Sequence, residues 1–362
     1  MIHRAILPVL LALLAAPVAA VPRDGTAVRR ALDAAVPAAL ARHKVPALSL
    51  ALIRDGSVDM VAAWGTQGEG QPATTASLFN VASLTKPITA DVALRLASAG
   101  RIDLDEAMAA HWLDPDIKAH PWRDRLTARL ALSHQTGFAN WRRETGGQLR
   151  FRFAPGTGYG YSGEGYEYVG KFMEAKTGER LDALAGQLVF TPLAMASTSH
   201  TGQAWFAGRI AAPSRDGRPL PPVITREPLA SDDLYTTAAD YAAFLASLIS
   251  SEAISPELAR QRATIHADQT REMCNRRQPA TCPTRAGFGL GWQVLDFAGT
   301  RFLMHTGNDR GEFTFAYWSP DTREGGVILT NSNLGGLAII DALPALGFDP
   351  RFAAYLKAVA DR

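Results

Sequence analysis

Cysteine is scarce: Cys274 and Cys282 are the only two in 362 residues, which excludes a disulfide-built scaffold, and their spacing fits no zinc motif. The eight histidines are scattered and none forms His-Glu-x-x-His, so neither a catalytic metal nor a metal cofactor is expected. Charge of one sign is also missing in bulk. Lys and Arg total 37 against 35 Asp and Glu, for a net charge of +2 without single-sign blocks, which argues against a nucleic-acid partner. No run reaches eighteen apolar residues, so no stable membrane span is expected. Gly-x-Ser-x-Gly is absent as well, and that disfavours an α/β-hydrolase. A dinucleotide fingerprint, Gly158-x-Gly160-x-x-Gly163, follows Pro155 rather than a strand and leads into no βαβ unit. These absences leave a small molecule as the expected partner, with no cofactor.

The first twenty residues supply Arg4, an apolar run from Ile6 to Ala16 and small residues ending at Ala20, the pattern of a secretory signal peptide cleaved near Ala20. A periplasmic or secreted protein is expected, and that compartment would permit Cys274 and Cys282 to pair or to stay apart. With 47% hydrophobic residues and no linker, repeat or low-complexity tract, one large domain over residues 27–350 is expected.

Along the chain, periodicity predicts a helix over 27–43 and strands over 47–53 and 57–64 joined by the hairpin signal Asp55-Gly56. Helical or loop-like patterns fill an all-α region of about 83–220, with helices near 84–99, 126–133, 163–177 and 181–190. Thr237-x-x-Asp240 reads as a capping box for a helix over 237–250. Strand patterns return over 288–295, 300–305, 312–318 and 326–331, before a helix over 334–345. The fold class is therefore α/β of the α+β type. One antiparallel sheet, drawn from about 27–80 and 230–350, is flanked by terminal helices.

The candidate chemistry centres on Ser83-Leu84-Thr85-Lys86. Leu84, Ile88, Val92 and Leu96 recur every four residues, predicting a helix with one buried face, and a helix start brings residues three apart to the same side. Of six lysines, Lys86 alone follows a serine by three. A serine hydroxyl needs a neighbouring base to become a nucleophile, and a lysine amine can be that base. The glycine-rich stretch 154–166 reads either as a tight loop or as a loop that presents Tyr161 to a cleft. His305-Thr306-Gly307-Asn308 ends a predicted strand, where His305 is either a turn residue or a cleft residue.

Taken in order, Ser83-x-x-Lys86, Tyr161-Ser162-Gly163 and His305-Thr306-Gly307 resemble the three motifs of the penicillin-recognising serine hydrolases, and most closely the class C β-lactamase, D,D-peptidase and penicillin-binding-protein-like esterase group. Leu132-Ser133-His134-Gln135-Thr136-Gly137, Pro155-Gly156-Thr157, Thr191-Pro192-Leu193-Ala194-Met195 and Phe288-Gly289-Leu290-Gly291-Trp292 are similar to its intervening phrases. The resemblance implies a β-lactamase/transpeptidase-like fold with the site in a groove between sheet and all-α region. It further implies Ser83 as acylated nucleophile, Lys86 and Tyr161 as proton-transfer groups, and His305 facing them. Thr306, Gly307 and Asn308 would line the substrate, with the Ser83 and Asn308 N–H groups as oxyanion hole. The sequence departs from the family where Gly163 replaces asparagine and His305 replaces lysine. Glu164 is the stand-in expected for the first, and Arg310 is expected to supply a cation for the second. His134 reads as a buried structural histidine. The expected activity is cleavage of an ester or amide by an esterase, D-amino-acid peptidase or β-lactamase, which share these groups. The alternative from another class is a non-catalytic sensor or scaffold.

Overall fold

A computed structural model describes residues 25–274 and 279–360, so the expected leader lies outside the described residues. Helix α1 (Gly25–His43) is followed by strands β1 (Ala47–Arg54), β2 (Ser57–Gly68) and β3 (Gln71–Pro72). Asp55 and Gly56 both have positive φ, +51° and +79°, which closes β1 onto β2 through a two-residue turn matched to strand twist. The sheet is completed by β4 (Ala267–Asp268), β5 (Arg285–Phe288), β6 (Gln293–Phe297), β7 (Thr300–Asn308), β8 (Phe313–Trp318) and β9 (Gly325–Thr330). Its order is β3-β2-β1-β9-β8-β7-β6-β5-β4, antiparallel throughout, with first and last segments of the chain joined where Leu48 opposes Thr330.

Both faces of the sheet are covered. Leu48, Leu50 and Leu52 point to one face, where they pack with Val28, Leu32 and Val36 of α1 and with α5 (Gly335–Leu346) and α6 (Pro350–Ala360). Ala47, Ala51 and Ile53 point to the other and join the larger core with α2 (Thr85–Ser98), α3 (Gly163–Thr177) and α4 (Ala238–Ser250). Period-two alternation thus divides one fully buried strand between two cores. The Arg42 guanidinium bonds Asp341 at 2.8 Å and pins the end of α1 to α5.

Three expectations are revised. The four-residue spacing in α2 predicts one buried face, yet Thr85 through Leu96 are all buried, because α3, the helical segment 181–190 and the turn at Gly291 pack around the helix. Its polar side chains survive burial by being partnered: Thr89 donates to the Ala230 carbonyl at 2.6 Å, and Asp91 binds Arg95 and Arg262. The strand expected over 288–295 is two strands. Between them Gly291 has φ +89°, and a Cβ there would lie 2.5 Å from the Cβ of Ala90, so α2 presses onto a turn that only glycine fits. The helix expected over 181–190 is α-helical to Ala185 and π-helical over Gly186–Phe190. Helix α6 lies beyond the last element the sequence pattern predicts.

Candidate active site

Ser83 sits in a 3₁₀ turn, Ala82–Leu84, that leads into α2. Ala82 before it has φ +48°, a conformation costly for a residue with a side chain, and its N–H is held by the Asn80 side-chain oxygen at 2.8 Å. The kink aims the serine into a groove of about 540 Å³. Lys86 is fully buried, and its Nζ donates to Ser83 Oγ at 2.9 Å and to the Ser231 carbonyl at 2.8 Å. A buried amine with two oxygen partners has one orientation available to it, and here that orientation faces the hydroxyl.

The Ser231 carbonyl is itself fixed from below. Glu167 of α3 accepts from Ser231 Oγ at 2.5 Å, from Ser231 N at 3.0 Å and from Ala230 N at 3.2 Å, while burial pushes its pKa up. Glu167 and Ser231 have no local motif, and sequence reasoning missed both. An acid four residues after Gly163, one helical turn into α3, is the signal that was there to be read.

Tyr161 stands just before the Ser162 cap of α3. Ser162 Oγ accepts from the Gly165 N–H at 2.9 Å and donates to the Ala139 carbonyl at 2.8 Å, so it is a capping serine. The Tyr161 ring lies 5.1 Å from Lys86 Nζ and stacks on His134 at 4.3 Å. Among the described residues its hydroxyl makes no hydrogen bond, and contacts of this kind commonly tighten only when substrate is present. His134 is fully buried, its Nδ1 accepts from the Ser162 N–H at 3.1 Å, and burial holds it neutral.

The motif on β7 divides by alternation. Thr306 and Asn308 reach the groove beside Ser83. Gly307 packs: a Cβ there would lie 2.1 Å from the Val81 carbonyl oxygen, so only glycine lets β7 pass the segment that carries Ser83. His305 is buried, with its pKa pushed down to about 3 by burial and by the nearby Lys86 charge. Its Nδ1 bonds the Thr306 carbonyl at 2.8 Å, which leaves Nε2 as an unpartnered acceptor.

The expected stand-ins lie elsewhere. Glu164 is buried against Arg142, accepting from its backbone N–H at 2.9 Å and from its guanidinium at 2.7 Å, so its carboxylate is spent on the loop. Arg310 is exposed and does not line the groove. Instead, Asn140 and Trp141 approach Gly163: Asn140 Oδ1 accepts its N–H at 2.8 Å, and a Cβ on Gly163 would lie 2.9 Å from the Trp141 ring. Arg143 is the groove's guanidinium, stacked 5.2 Å from the Trp141 ring.

Three acids also line the groove. Asp232, Asp233 and Asp309 place carboxylate oxygens within 4.8 Å of one another, the one grouping among the described residues that could surround a hard cation. Asn80 donates to Asp233 at 2.8 Å. Burial, with help from Asp233 and Asp309 and against Lys86, pushes Asp232 up to about 7. Farther off, Cys282 Sγ lies 3.8 Å from the Cys274 carbonyl oxygen, which sets the two cysteines side by side.

Comparisons with known proteins show the family and the fold. The sequence model of the Beta-lactamase family matches residues 32–344. The chain is 26% identical to penicillin-binding protein 4 of Amycolatopsis lactamdurans over 318 residues, 82% of each chain. It is 28% identical to esterase EstB of Burkholderia gladioli over 230 residues, 55% of this chain and 57% of that one. The fold matches that of D-alanine carboxypeptidase AmpC from Burkholderia cenocepacia with a TM-score of 0.73 at 19% identity, covering 90% of this chain and 99% of that one. Among the described residues no helix is long and apolar enough to cross a membrane.

Proposed function

This chain belongs to the Beta-lactamase family and is a serine hydrolase, and from that premise we propose that it is exported and cleaves an ester or amide through an acyl-enzyme on Ser83. The observation that carries the proposal is the 2.9 Å contact between the fully buried Lys86 Nζ and Ser83 Oγ, which lines the groove. In its amine form Lys86 takes the hydroxyl proton as Oγ attacks the carbonyl carbon. The negative oxygen of the tetrahedral intermediate is held by the Ser83 and Asn308 N–H groups, a kind of donor pair often contributing several kcal/mol. The bond to the leaving oxygen or nitrogen then breaks, and that atom receives its proton from the Lys86–Tyr161 couple. Water enters, gives a proton to the same couple and attacks the acyl carbon, and the acid departs as Ser83 recovers its hydrogen.

Charge narrows the substrate. Asp232, Asp233 and Asp309 line the groove against the single guanidinium of Arg143, and His305, neutral and outside the groove's lining, offers no cation for a substrate carboxylate. An anion beside the scissile carbonyl is therefore disfavoured, and this supports the esterase or peptidase reading over penicillin turnover. The leader pattern supports export; Cys274 and Cys282 are both thiols in the structure. Stopped-flow hydrolysis of p-nitrophenyl acetate tests the proposal: a burst of nitrophenol stoichiometric with enzyme is expected, and a burst that survives Ser83→Ala would overturn it.

A further inference from the structure

Two non-glycine residues that border the groove hold the left-handed backbone conformation: Ala82, directly before Ser83, at φ +48°, and Asp233, in the groove lining, at φ +62°. Such conformations persist only where the surroundings hold them. One buried side chain bonds both. Asn80 Oδ1 accepts from the Ala82 N–H at 2.8 Å, and Asn80 Nδ2 donates to Asp233 Oδ1 at 2.8 Å. The donor on Ala82 decides which end of the amide faces it, so the NH2 end turns to the carboxylate. Asn80 is itself anchored in a short antiparallel ladder, where Phe79 and Asn80 pair with Thr236 and Tyr235.

The flanks of Ala82 are fixed independently. The Val81 N–H donates to the Leu234 carbonyl at 2.9 Å, the Val81 carbonyl accepts from Thr314 Oγ1 at 2.8 Å, and from Thr85 onward the chain is helical. Between these anchors, the peptide plane joining Ala82 to Ser83 sets two directions at once, that of Ser83 Oγ and that of the Ser83 N–H assigned above to the oxyanion hole. We propose that Asn80 is a positioning residue for acylation: its amide locks Ala82 in the left-handed turn, and through Ala82 it holds the nucleophile and the Ser83 N–H in the attacking pose, in fixed register with Asp233. The inference rests on the acyl-enzyme reading above and adds to it a residue outside the three motifs. An amide suits both bonds. An aspartate at position 80 would set one carboxylate against another, and a hydroxyl there can take the Ala82 N–H, in the manner of an ST-turn, but has no second arm for Asp233.

The test is stopped-flow acylation of the full-length mature protein by p-nitrophenyl acetate, with fluorophosphonate labelling of Ser83 as the control for a working nucleophile and melting temperature as the control for folding. In Asn80→Ala the burst rate constant at saturating ester is expected to fall at least about tenfold while the half-saturating concentration stays within about twofold, because a misaimed nucleophile loses rate rather than binding. Asn80→Ser is expected to return to within about threefold of the wild-type rate, since its hydroxyl can still take the Ala82 N–H. Both variants lose the bond to Asp233 and should melt below wild type alike. Recovery of rate without recovery of stability separates positioning from a purely structural role. If Asn80→Ala is unfolded at the assay temperature, Asn80→Cys, which matches serine in shape but is a weak acceptor, takes its place with the same expectation. A folded Asn80→Ala that acylates within about twofold of wild type, or an Asn80→Ser as slow as Asn80→Ala, overturns the proposal and leaves the Ser83 nucleophile intact. Absence of both burst and label in wild type overturns both.

Discussion

The Trp141 ring occupies the space that a side chain at position 163 would need: a Cβ built on Gly163 lies 2.9 Å from the ring. The missing asparagine of the second motif is thus part of a packing arrangement, in which an indole fills the volume and Asn140 bonds the Gly163 N–H. Gly163→Asn is expected to lose about 1–2 kcal/mol of stability by overpacking, measured by denaturant unfolding. In a Trp141→Ala background the loss should shrink. A strictly additive double-mutant cycle would contradict the pairing.

Tyr161→Phe keeps the ring that stacks on His134 at 4.3 Å and removes only the hydroxyl. Turnover of an ester is expected to fall at least about a hundredfold, as loss of a proton-transfer group does, with melting temperature nearly unchanged. An unchanged kcat would remove Tyr161 from the chemistry.

Glu167 acts through its neighbours. Its carboxylate holds the Ser231 and Ala230 backbone, and the Ser231 carbonyl holds Lys86. Glu167→Ala is expected to lower kcat by about tenfold or more and to cost about 1–3 kcal/mol, since two buried N–H groups lose their acceptor. Glu167→Gln, whose amide oxygen can still accept, should recover most of the stability. If Ala and Gln behave alike in both assays, the positioning role fails.

The buried acids give a pH signature. Asp232 and Glu312 are pushed up to about 7 in the folded state, burial being the first cause for each. Their unfolded forms ionise near 4. Between pH 4 and 7 the unfolded chain therefore releases protons that the folded chain retains, and these groups favour unfolding as pH rises through that window. Below pH 4 their stabilising contribution is complete, and above 7 the loss levels off. Asp232→Asn and Glu312→Gln should each gain stability relative to wild type from pH 4 to 7, read as the difference in melting temperature. The comparison cancels His305, which works in the opposite sense below pH 6.5. A difference independent of pH would refute the assignment.

How much of this was legible in the sequence depends on how locally each feature is encoded. Ser83 and Lys86 meet across three residues of one helical start, so spacing alone finds them. The hairpin at Asp55-Gly56 and the helix over 163–177 are likewise set by nearby residues, the latter beginning at the Ser162 cap and ending at Gly178 in the left-handed conformation. Trp141, Ser231 and Asp232 reach the site through tertiary contacts, and no spacing announces them. The same cause hides the enclosure of α2, whose Thr89 finds its acceptor at Ala230, more than a hundred residues away. Glu164 shows the converse error, since a residue adjacent in sequence to the motif is turned away from it by Arg142.

Intact-mass spectrometry after brief exposure to p-nitrophenyl acetate, followed by peptide mapping, tests the central claim most directly. One acetyl group per chain, mapped to Ser83 and absent from Ser83→Ala, is the predicted result, with the adduct lost as acetate is released. An acetyl group that persists in Ser83→Ala, or steady hydrolysis by that variant at the wild-type rate, would contradict the Ser83 acyl-enzyme.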